Sequence, residues 1–120
     1  MSRDASEVDR YIADPLCGFL CTNETWYQFL GGLSRLFAKQ AFRDFPAGLP
    51  VLIVSGSLDP VGRYGKGPRS LERALRKSPA GPVRCRLYPV GRHELLNDVG
   101  REQVIADIDA WVTALLKANT

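Results

Sequence analysis

Residues 50–62 read Pro50-Val51-Leu52-Ile53-Val54-Ser55-Gly56-Ser57-Leu58-Asp59-Pro60-Val61-Gly62. Three of the four consecutive apolar residues at 51–54 are β-branched, which suits a strand buried on both faces, as in a parallel sheet covered by helices. Gly56 is expected to turn the chain sharply at the strand's end. Asp59 then lies on a loop at the carboxyl end of a strand, the edge where open α/β sheets gather ligands and catalytic groups. Pro60 restricts the backbone immediately after it.

On the C-terminal side, residues 61–70 (VGRYGKGPRS) contain three glycines but neither GxxxxGK[ST] nor GxGxxG, so they read as a loop rather than a phosphate cradle. Pro68 is well placed near the first turn of a helix running through Lys77, with Leu71 and Leu75 inward and Arg73, Arg76 and Lys77 outward or near the C-terminal end. Val83, Cys85 and Leu87 alternate with Arg84, Arg86 and Tyr88, the period of a second strand whose unequal faces suit an edge. Residues 101–118 place Val104, Ile108, Trp111 and Leu115 at helical spacing beside Ile105, Val112 and Leu116.

On the N-terminal side, residues 4–13 read as a short helix with Asp4 as N-cap and Glu7 completing a capping box. PLCGFLC, at 15–21, reads as a packed loop. Residues 23–42 carry the longest helical pattern, with Trp26, Leu30, Leu33 and Phe37 in one stripe. Gly31 and Gly32 weaken its middle, so two helices or one bent helix are expected. Such stripes pack into a core; walling a lipophilic pocket is the second use.

Composition bounds the function. The 120 residues are 45% hydrophobic and 24% charged, enough for one modest core or part of one. The net charge of +3 comes from 16 basic and 13 acidic residues that are interspersed, with no basic and aromatic cluster of the kind that nucleic acid requires. No apolar run is long enough to span a bilayer, and the polar start MSRDASEVDR is unlike a signal peptide, so a soluble, cytoplasmic chain is expected. Cys17, Cys21 and Cys85 with a single histidine make no zinc set and read as reduced, partly buried thiols; no metal or cofactor is expected.

That single histidine, His93, lies in YPVGRHELLND just beyond the second strand, as Asp59 lies just beyond the first. If the strands are parallel neighbours joined by the intervening helix, both loops emerge at one edge of the sheet. An acid that orients a histidine, which in turn takes a proton from a hydroxyl nucleophile, is two-thirds of the machinery of acyl transfer. Against this stands a surface histidine beside an ordinary turn acid; the matched positions after successive strands favour the pair.

Together, PVLIVSGSLDPVG, YPVGRHELLND and DPLCGF resemble the C-terminal part of an α/β-hydrolase, of the monoacylglycerol lipase, lysophospholipase and serine aminopeptidase-like branch. The resemblance implies a partial α/β-hydrolase fold of cap-like helices followed by βαβα with two parallel strands. Residues 1–49 would derive from the cap or lid and residues 50–120 from the core, with Asp59 and His93 as the catalytic acid and histidine. It also implies a small-molecule ester or lipid substrate for the complete enzyme. The chain departs from the family in lacking the GxSxG nucleophile elbow: Ser34 lies in GLSRL, Ser55 in VSGSL and Ser70 in PRSLE. The chain is therefore expected to be a piece of a longer hydrolase, inactive alone, or a degenerate relative acting as a binding module. The first strand would keep one unpaired edge, so self-association through it is expected.

Overall fold

Strand β1 (Val51–Gly56) pairs in parallel with β2 (Val83–Tyr88), in a register running from Val51 opposite Val83 to Gly56 opposite Tyr88. This computed structural model describes residues 1–118, and among them these two strands are the whole sheet. Helix α4 (Lys66–Leu75) connects the strands and packs on both; α5 (Arg101–Ala118) follows β2. Ahead of the sheet come α1 (Ala5–Ala13), α2 (Asn23–Leu36) and α3 (Lys39–Arg43). The order is the expected one of helices followed by βαβα.

The core consists of Leu75 from α4, Val83 from β2, Leu95 from a 3₁₀ turn (Leu95–Asn97) and Val104 from α5. The side of α5 that faces β2 is anchored by Asp107, which accepts a hydrogen bond from the Tyr88 hydroxyl at 2.9 Å and pairs with Arg86 at 2.9 Å. Burial, and then that hydrogen bond to a carboxylate, push the Tyr88 phenol above its ordinary range. In β2, Arg84 and Arg86 are exposed while Val83 is buried and Cys85 and Leu87 are half-buried, the alternation expected of an edge.

Several expectations are corrected. Val51 to Val54 are half-buried, not enclosed on both faces, because a two-stranded sheet is too narrow to be covered as a central strand would be. Helix α4 has Pro68 in its first turn, as expected, but ends at Leu75 rather than Lys77; at its start Gly65 takes φ +81°, the left-handed region that glycine enters without penalty, and redirects the chain into the helix. Asp4 does cap α1, but its carboxylate accepts from the N–H and hydroxyl of Ser6. Glu7 turns to Arg10 instead of closing a capping box.

The long helical pattern breaks elsewhere than expected. Helix α2 runs through Gly31 and Gly32 and stops at Leu36; Ala38, with extended backbone, then starts α3. Thr22 caps α2 by accepting from the Thr25 N–H at 3.2 Å. The aromatic stripe does not pack into a core. None of α1, α2 or α3 buries a residue, and Trp26 is 51% exposed, stacked edge-on against Phe29 at 6.0 Å between ring centres.

Candidate active site

Asp59 and His93 emerge from the carboxyl ends of β1 and β2, which parallel pairing brings to one edge of the sheet. Residue Gly56 makes the approach of the two loops possible. The chain turns at the strand's end as expected, the Asp59 N–H reaching the Gly56 carbonyl at 3.3 Å, but Gly56 lies outside the left-handed region and what it supplies is space: a Cβ on it would overlap the carbonyl groups of Gly91 and Arg92. Across this contact the Leu58 N–H donates to the Gly91 carbonyl at 2.9 Å and the Ser57 N–H to the Tyr88 carbonyl at 2.9 Å. The Ser57 hydroxyl accepts from the Val90 N–H at 3.0 Å, which secures a β-branched residue held at φ +54°.

The loop behind β1 folds around the Asp59 carboxylate. Its Oδ1 accepts the Val61 N–H at 2.9 Å, a local turn that Pro60 pre-forms, and its backbone carbonyl accepts the Tyr64 N–H at 2.8 Å. Asp59 is 5% exposed. Its Oδ2 lies 3.1 Å from His93 Nδ1. An ionised carboxylate only accepts, so Nδ1 donates; the neutral ring then carries its lone pair on Nε2, on the side away from the acid. The imidazole is more open than its partner, 39% against 7% for the two side chains. A buried acid, an oriented ring and an outward basic nitrogen form a unit able to accept a proton from a hydroxyl placed against it.

Sequence reasoning paired these two residues but missed what holds the histidine. Asp98, 1% exposed, accepts from the Arg92 N–H at 3.3 Å and the Val99 N–H at 2.8 Å. It also accepts from the backbone N–H and guanidinium of Arg3, at 3.1 and 3.0 Å. Burial pushes its carboxyl up, but the donors from Val99, Arg3 and Arg92 outweigh this and hold it below the usual carboxylate range. In the sequence LLND, Asp98 looks like any turn acid, and no local pattern marks it.

None of the serines forms an elbow. Ser34 lies inside α2, Ser70 inside α4, and Ser55 within β1, its hydroxyl 3.5 Å from the Gly56 carbonyl. A cavity of about 720 Å³ is walled by Leu52, Arg84, Trp111 and Leu115, and neither Asp59 nor His93 lines it.

A parallel β–α–β unit whose strand-end loops bring an acid and a histidine together is the arrangement expected of the C-terminal part of an α/β-hydrolase. The chain belongs to the serine aminopeptidase S33 family, whose model matches residues 1–100. Among solved structures it resembles a highly thermostable carboxyl esterase from Bacillus coagulans in complex with glycerol, with a TM-score of 0.81 and 25% identity. The likeness covers 92% of this chain and 36% of the esterase, so the chain spans about a third of that protein's length. No curated protein matches it.

Proposed function

We propose that this chain carries the acid and general base of a serine hydrolase of carboxylic or lipid esters, in the manner of monoacylglycerol lipases and lysophospholipases. The observation that carries the reading is the 3.1 Å contact between a buried Asp59 and His93 at one sheet edge. In the complete enzyme a serine outside these 120 residues attacks the ester carbonyl and gives its proton to His93 Nε2. His93 returns the proton to the leaving alcohol, and Asp59 holds the ring and stabilises its cation. Residues 1–49 serve as the cap-derived part over the acyl pocket and residues 50–120 as the C-terminal part of the core, in a cytoplasmic enzyme. Alone, the chain has no nucleophile elbow and hydrolyses nothing.

A second reading, a binding module derived from a hydrolase, is favoured by the apolar surface of the N-terminal half, where Phe19, Leu20, Trp26, Tyr27 and Phe29 are all exposed. The reading frame upstream of Met1 separates the two. An in-frame GxSxG whose translated product reacts with a fluorophosphonate, and loses that reaction by roughly a thousandfold or more in His93→Ala, supports the hydrolase. Stoichiometric labelling of the 120-residue chain itself would refute the proposed division of the triad. No elbow upstream, with a stop codon and ribosome site directly before Met1, favours the module.

A further inference from the structure

We propose that residues 1–4 form a strap that sets the position of His93, with Asp98 as the positioning residue that latches it. The functional consequence rests on the reading of His93 as general base. His93 lies in the irregular segment between β2 and the 3₁₀ turn, so no strand or helix supplies partners for its backbone. The strap does so. The Met1 carbonyl accepts the His93 N–H at 3.0 Å and the Glu94 N–H at 3.3 Å. Ser2, buried, donates its hydroxyl to the Asn97 carbonyl at 2.6 Å and accepts the Asp4 N–H at 2.9 Å. Arg3 then closes on Asp98 through its backbone N–H and its Nε, which reaches both carboxylate oxygens.

One buried carboxylate is thus shared by the strap and by the Arg92 N–H, immediately before His93. Removing the latch leaves the strap tied only through Ser2 to Asn97 and Asp4 to Arg101, and so loosens the acceptor for two amides that otherwise lack one. The imidazole is then held chiefly by Asp59. Proton transfer depends on sub-ångström placement of the base, so a loop held from both its backbone and its ring is suited to the task in a way that a loop held by the ring alone is not.

The test uses the 120-residue chain labelled with ¹⁵N. His93 is its only histidine, so every imidazole signal belongs to it. Asp98→Asn and Arg3→Gln weaken the latch, and Tyr88→Phe breaks the separate anchor of α5. Amide hydrogen exchange at His93 and Glu94 is compared with that of the β1–β2 ladder in each variant. Both latch variants are expected to lower this protection ratio by roughly tenfold, as loss of a hydrogen bond or two implies, and to shift the imidazole nitrogens. Tyr88→Phe is expected to leave the ratio unchanged whatever it does to global stability. Should one latch variant fail to fold, the other decides on the same ratio. A wild-type ratio in the latch variants, or an equal fall in Tyr88→Phe, would overturn the strap. The general-base reading is tested separately: imidazole signals indifferent to Asp59→Asn refute it, while the amide ratio still decides the strap.

Discussion

At Gly56 a hydrogen atom is all that the space between two backbones admits. Gly56→Ala drives a methyl into the carbonyls of Gly91 and Arg92, neither of which can move without separating the Asp59 and His93 loops. It is expected to cost about 4 kcal/mol or more in a urea melt, at the severe end for a point mutation. Gly32→Ala is the contrast. It lies within α2 with nothing inside 4 Å of an added Cβ, so it is expected to stabilise by roughly 0.5–1 kcal/mol through helix propensity alone. Asp98 gives a pH signature. Its folded pKa is depressed below the ordinary 3.8, so its contribution to stability is complete above that value and is lost as pH falls through the lower folded value. Acid titration of the urea midpoint is expected to show the wild type losing stability below about pH 4, and Asp98→Asn losing less over the same window.

At the level of elements, β1, α4, β2 and α5 were readable because each announces itself locally: an apolar β-branched run, a proline in a first turn, an alternation, a helical stripe. The Asp59–His93 pairing followed from those elements, since parallel strands deliver their following loops to one edge whatever the side chains do. The Arg3–Asp98 latch was not readable, because its partners are 95 residues apart and neither sits in a patterned segment. Gly31 and Gly32 misled for an energetic reason. Each costs a helix only about 1 kcal/mol, which a capped 14-residue helix tolerates, and the chain leaves the helix at Phe37 instead. The stripe on α2 showed that a face wants burial but not what would bury it. Trp26→Ala and Phe29→Ala are accordingly expected to change the stability of this chain by no more than about 0.5 kcal/mol, since both residues are exposed and neither is part of the buried core. Leu75→Ala and Leu95→Ala, at buried positions, are expected to cost about 2–5 kcal/mol in the same melts. A loss of similar size at Trp26 would mean that α2 is packed in solution.

Across the whole molecule, folding has left more surface open than a self-sufficient domain would. A compact chain of 13.3 kDa exposes roughly 6,500 Å², whereas this one exposes 8872 Å². Its radius of gyration is 16.8 Å, against roughly 13.5 Å for a compact domain of its length. Much of the excess is apolar. Leu20 is 96% exposed, and the aromatic side chains of α2 are joined by Leu36 and Phe37 at its end. The sheet adds a polar liability: β1 pairs with β2 on one side only, and the run Val51 to Val54 contains no charge, bulge or internal proline to discourage another strand from pairing with its open edge. Apolar patches of this extent and an unprotected edge favour contacts with other chains over a solvated monomer. The 120-residue chain is therefore expected to self-associate, or, where kept dilute, to unfold with a free energy below about 5 kcal/mol. Size-exclusion chromatography with light scattering over a hundredfold range of concentration, and urea melts at its two ends, decide the matter. Mass and midpoint should both rise with concentration, because association stabilises only the folded form. A monomer at every concentration that melts cooperatively with about 5 kcal/mol or more would show that these exposed faces are tolerated as they stand, and that the chain needs no further surface to complete its fold.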